Sequence, residues 1–89
     1  MDLFQVLLNI SHFNGNETIY AVEPWTPESE VQVILEPAAG IIQLNQGELV
    51  FEYFLEIDLL QKMLQNSPYS NLCLRDQCLR VIEYVMQNA

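Results

Sequence analysis

In residues 3–13 the apolar positions fall at Leu3, Val6, Leu7 and Ile10, with Phe4 and Leu8 beside them. Spacings of three and four place them on one stripe, which predicts an amphipathic helix. Asp2 stands at its N-cap with Gln5 three residues on, the pairing of a capping box, and Asn14-Gly15 supplies a left-handed stop. Residues 18–22 are rich in β-branched and aromatic side chains and predict a strand, ended by Pro24. In Pro24-Trp25-Thr26-Pro27 two of four residues lack a backbone donor, so this segment is a loop or a sheet edge. A second strand is predicted over Val31–Leu35, with Val31, Val33 and Leu35 on one face and Gln32 on the other, closed by Pro37.

Ala38-Ala39-Gly40 reads as a turn, and residues 41–44 as a candidate short strand before a tight connection at Asn45-Gln46-Gly47. Residues 49–55 carry the strongest strand pattern, with Val50, Glu52 and Phe54 on one face and Leu49, Phe51, Tyr53 and Leu55 on the other. Apolar residues at nearly every position suit a strand covered on both sides, or covered on one and forming an interface on the other. The helical period then returns. Ile57, Leu60 and Leu64 recur on one face with Met63 beside them, Asp58 and Gln61 form a candidate cap pair, and Asn66-Ser67-Pro68 is the stop. A last helix is predicted from about Ser70, with Leu74, Cys78, Val81, Ile82 and Val85 as its buried stripe.

Strands joined by short connections pair antiparallel, because a parallel pair needs a crossover of a dozen or more residues. The expected fold class is therefore α+β: a small antiparallel sheet of three or four strands, with an N-terminal helix and two C-terminal helices packed on one face. The chain of 89 residues has room for a single domain, which at this length buries roughly 60 to 65% of its unfolded surface. Half of its residues are apolar, more than so small a core readily holds, so a homodimer or a partner surface is expected. No apolar run approaches the ~20 residues needed to span a bilayer. Met1-Asp2-Leu3-Phe4 lacks the basic start of a signal peptide, so the expected location is the cytoplasm.

The net charge is −9, with only three Lys and Arg residues in the chain. Nucleic acid and anionic membrane are disfavoured as partners, since both are bound by neutralising phosphate; a basic protein partner fits better. The charge is also lopsided. Residues 1–61 contain ten carboxylates and no Lys or Arg, whereas Lys62, Arg75 and Arg80 stand near Asp76 and Glu83 in the remainder. Acidity alone keeps a small apolar protein soluble, and this is the simpler explanation. Arg75 and Arg80 are expected to form ordinary surface ion pairs with Asp76 and Glu83.

Catalytic motifs are missing. His12 has no Ser, Cys or carboxylate at a relay spacing and is better explained as a cationic group near a helix C-terminus. Three glycines allow neither a phosphate loop nor a nucleophile elbow, and no carboxylates fall in a metal-loop spacing. Cys73 and Cys78 lack further ligands for zinc, and on one helix they would point about 140° apart, so both are expected as small packing residues. No enzyme activity, metal or cofactor is expected.

The candidate binding segment is residues 23–30, where the only tryptophan sits on a Pro-bracketed loop between acids. Trp is a frequent interface hot spot and flanking charge steers partners. The competing reading folds Trp25 down over the edge of the core, and the high mean burial of Trp favours it. Glu23, Trp25, Glu28 and Glu30 are the candidate partner-binding residues, with Glu48 and Glu52 in second rank. Ile19-Tyr20-Ala21, Pro24-Trp25-Thr26-Pro27-Glu28-Ser29, and Tyr53-Phe54-Leu55-Glu56 leading to a helix with Gln61 resemble an uncharacterised family of small acidic bacterial proteins. Such proteins are frequent among the immunity partners of bacterial toxins, so the resemblance implies a toxin-neutralising role. Two readings stand at this point: an immunity-type inhibitor of a basic toxin or nuclease, and a structural or accessory homodimeric protein.

Overall fold

The computed structural model describes residues 1–35, 43–66 and 68–88. Helix α1 (Leu3–Leu8) is followed by strands β1 (Glu17–Val22), β2 (Val31–Leu35), β3 (Gln43–Gln46) and β4 (Leu49–Glu56), then by helices α2 (Ile57–Gln65) and α3 (Leu74–Gln87). The fold is the expected α+β arrangement: the strands form one curled antiparallel sheet in the order β2-β1-β4-β3. The expected turn at Ala38-Ala39-Gly40 and the Ile41-Ile42 half of the candidate strand lie outside the described residues.

The core joins every helix to one face of the sheet. Leu3, Val6 and Leu7 of α1, Ile19 and Ala21 of β1, Val31 of β2, Phe54 and Leu55 of β4, Ile57 and Leu60 of α2, and Cys78, Val81, Ile82 and Val85 of α3 form one buried cluster. The predicted stripe of α3 is the buried one, with Leu74 packed at its margin. Cys78 has no solvent exposure, as a packing thiol should, whereas Cys73 is exposed at the N-cap of α3 and departs from the expectation of burial. The helix starts later than expected because Tyr69–Asn71 forms a separate 3-10 turn.

The capping box on α1 is present in both directions, Gln5 N–H donating to Asp2 Oδ1 at 2.8 Å and Asp2 N–H to Gln5 Oε1 at 2.9 Å. The helix ends five residues earlier than its apolar stripe, and without the left-handed stop; among described glycines only Gly47 has positive φ. Asn9 takes over as the end, its Nδ2 donating to Gln5 O at 2.9 Å, and the chain tightens into a 3-10 turn at Ile10–His12. A distant side chain fixes this departure. Gln61 Nε2 donates to Ile10 O, which also accepts the Phe13 N–H of the 3-10 turn, and to Phe13 O, both at 3.2 Å, bridging the two ends of the turn.

Gln61 is therefore a clamp and not the expected cap partner of Asp58. Glu56 is the N-cap of α2, without a side-chain cap bond, and Asp58 instead pairs with Lys62 one turn on, at 2.9 Å. The face assignment on β4 also changes. Ile19 pairs with Leu55 and Tyr20 with Tyr53, so one step along β1 matches two along β4 and Phe54 is the extra residue of a bulge. A one-residue slip reverses the faces. Leu55 joins Ile19 on the helix-covered side, while Tyr53 lies with buried Tyr20 on the other, ring edge to ring face at 6.0 Å. The β3–β4 connection is the two-residue turn Gly47-Glu48, with Gly47 at φ 60°, the signature of a type II′ hairpin.

Removing the clamp should leave Phe13 O without the Gln61 donor and Ile10 O with the Phe13 N–H alone. Gln61→Ala is expected to lower unfolding stability by about 1 to 3 kcal/mol, read as a lower urea midpoint; an unchanged midpoint would show that the Ile10 to Phe13 turn holds itself.

Candidate functional site

The loop between β1 and β2 is built on the first turn of α1. A helix begins with backbone donors that have no intrahelical partner. Here Leu3 N–H donates to Ser29 O at 3.0 Å, Phe4 N–H to Pro27 O at 2.9 Å, and Gln5 N–H to the Asp2 side chain. Two loop carbonyls thus satisfy helix donors, and the helix start holds the loop. Flanking bonds tie its root: Val22 N–H to Glu30 O and Val31 N–H to Met1 O, each 3.0 Å, with an isolated antiparallel bridge between Asp2 and Glu30.

Inside the loop the short polar side chains replace a ladder. Thr26 N–H donates to Ser29 Oγ at 2.8 Å, Ser29 Oγ donates to Pro24 O at 3.1 Å, and Glu28 N–H donates to Thr26 Oγ1 at 3.2 Å. The Glu23-Pro24 peptide is cis. Pro27 and Ser29 face inward and are buried, which leaves Glu23, Glu28 and Glu30 exposed. The acids alternate outward because the small residues between them carry the bracing.

Trp25 is half-buried and folds over the edge of the core. Its ring meets Phe54 edge to face at 5.0 Å, and its Nε1–H donates to Ala21 O at 3.3 Å. The ring still borders solvent. It walls a groove of about 280 Å³ shared with Tyr53, Phe54, Leu55, Leu59, Tyr84, Val85 and Asn88. It also lines a neighbouring depression of about 320 Å³ with Glu23, Pro24 and Met86.

The six candidate residues are only partly brought together. Glu23, Trp25, Glu28 and Glu30 share the braced loop, and Glu48, exposed in the β3–β4 turn, lies at the same end of the sheet because Val22 pairs with Phe51. Glu52 lies inside β4, half-buried, opposite Ala21 and Gln43, and accepts a bond from Gln43 Nε2 at 2.9 Å. It belongs to the sheet face and not to the loop end.

Glu28 is not a free charge. Arg75 Nη1 lies 3.0 Å from its carboxylate, across 47 positions of chain. The hydrogen bond from Arg75 holds the Glu28 carboxyl below its ordinary value and raises Arg75 in return. Both side chains are mainly exposed, so the pair adds little stability. The expectation that Arg75 pairs with its neighbour Asp76 is corrected by this cross-chain partner, which i,i+4 arithmetic cannot reveal. Sequence reasoning also missed Leu59, Tyr84 and Met86 as neighbours of Trp25. Their only signal is that they are apolar yet fall off the buried stripes of α2 and α3.

Burial, reinforced by the nearby Glu28 charge, pushes the Cys78 thiol from 9.0 up to about 11. Among the described residues no group of three or more His, Cys, Asp and Glu side chains could hold a metal ion, and no helix is long and apolar enough to cross a membrane. Compared with protein-family models, curated proteins and solved structures, the chain matches none of them.

A thiol reagent at neutral pH should modify Cys73 alone in the folded protein and both cysteines after unfolding; equal native rates would contradict the burial of Cys78. The unfolded thiol ionises near 9.0 while the folded one resists to about 11. The unfolded state thus binds fewer protons in that window, and the Cys78 contribution to stability should fall as pH rises through it. The Cys78→Ala variant should lack this part of the alkaline loss.

Proposed function

We propose that this chain is an acidic protein-binding domain, of the immunity type, that occupies a basic surface of a toxin or nuclease with carboxylates standing where phosphates would lie. The observation that carries this reading is the braced β1–β2 loop. Glu23 and Glu30 are held outward on a frame tied at Leu3, Phe4, Val22 and Val31, with Glu48 at the same end of the sheet. Charges fixed before binding lose less conformational freedom on association, so more of their attraction survives as affinity. The resemblance of the Pro24 to Ser29 segment to small acidic bacterial proteins supports the immunity-type part of the reading.

The net charge of −9 gives the same surface a kinetic role. Opposite charge steers encounter, raising association from about 10⁵–10⁶ M⁻¹s⁻¹ toward 10⁸ M⁻¹s⁻¹ at low salt. Glu28 contributes less than its neighbours because Arg75 already holds it. Glu52 lies on the sheet face, bonded to Gln43, apart from this surface.

Affinity capture from the source cell should recover a basic protein, and its association rate with the purified chain should fall steeply as salt rises. Glu23→Lys with Glu30→Lys should slow that association at least tenfold while leaving the fold intact by circular dichroism. Recovery of copies of this chain alone would overturn the reading and favour the homodimeric alternative.

A further inference from the structure

The apolar groove beside Trp25 is unexplained by the charge reading. Its lining comes from four elements: Trp25 on the braced loop, Phe54 on β4, Leu59 on α2 and Tyr84 on α3. Leu59 is 38% exposed, and Met86, in the neighbouring depression, is 64% exposed. Aromatic and Met side chains at the surface are the composition of an interface core, not of a solvated face.

The volume narrows the occupant. About 280 Å³ is room for one large apolar side chain. Charge narrows it further. Glu23 lines the neighbouring depression that shares Trp25 with the groove. Glu83 adjoins Tyr84 in α3 and is exposed. A second copy of the chain would carry the same net charge of −9, and like-charge repulsion opposes its approach.

We propose that the Trp25 groove receives one large apolar side chain from a cationic segment of the partner, with Lys or Arg on either side of it meeting the surrounding carboxylates. The proposal rests on the acidic-binding reading and adds the anchor to it. Steering by charge brings the segment in; insertion beside Trp25 holds it, which places the groove's effect on dissociation and the acids' effect on association.

Trp25 is the only tryptophan in the chain, so its emission reports the groove directly. The probe is a synthetic peptide with one phenylalanine flanked on each side by four lysines, titrated at low salt beside the same peptide with alanine at the centre. The expected result is a saturable change in Trp25 emission, with affinity about tenfold weaker for the alanine peptide. Leu59→Ser, in the groove lining, should weaken the phenylalanine peptide several-fold and leave the alanine peptide unchanged; Leu79→Ser, exposed on α3 away from the groove, should alter neither. Equal binding of both peptides, read by calorimetry, would overturn the groove proposal and leave the charge reading standing. Failure of both peptides to bind at low salt would overturn both. An emission change that follows the protein's own concentration, with a dimer in sedimentation, would show a second copy on the groove and overturn the proposal.

Discussion

The candidate surface depends on a reciprocal use of unpaired backbone groups. Helix α1 has only six residues, too few to be stable by itself. It persists because its stripe is buried and its first donors are met by Asp2, Ser29 and Pro27. The loop has the opposite problem, carbonyls without a ladder, and the helix start resolves it. Neither element is fixed without the other. From this clasp follow the burial of Pro27 and Ser29, the outward display of Glu23, Glu28 and Glu30, and the position of Trp25 against Phe54.

Charge in this protein is therefore a matter of placement more than of total. The first 61 residues carry no Lys or Arg, yet two of their carboxylates are met in space, Asp58 by Lys62 and Glu28 by Arg75. The Arg75 contact joins α3 to the loop at the point where α1 also holds it. Glu23, Glu30 and Glu48 are exposed and have no ion pair among the described residues, and they define the field that a basic partner would meet. The apolar surface is also local in origin. Trp25 caps the core on one side and walls open space on the other, so one residue satisfies both readings of its role.

Most of the fold was legible from periodicity. The capping box, the bounds of β2, the strand at β1 and the buried stripe of α3 follow from local patterns that tertiary contacts reinforce. The departures share one cause, a partner distant in sequence. Gln61 stops the first helix short by holding Ile10 O and Phe13 O, and it leaves the cap of α2 to do so. The bulge at Phe54 comes from pairing with β1, so alternation within residues 49–55 alone assigns Leu55 and Tyr53 to one face when they occupy two. The acidic loop was visible as a segment, since Pro, Trp and Glu are concentrated there. Its bracing, its Arg75 partner and its groove were not, because Leu3, Phe4, Arg75 and Tyr84 carry no local signal of contact with it.

The clasp is tested most directly by amide hydrogen exchange at Leu3 and Phe4, whose donors are given to the loop carbonyls. They lie in the first turn of a helix, where amides ordinarily exchange freely for want of partners. The account predicts protection at both positions comparable to that of β1, lost at both together when the loop is cut between Thr26 and Pro27. Exchange of Leu3 and Phe4 at the rate of an open chain, with β1 still protected, would contradict it.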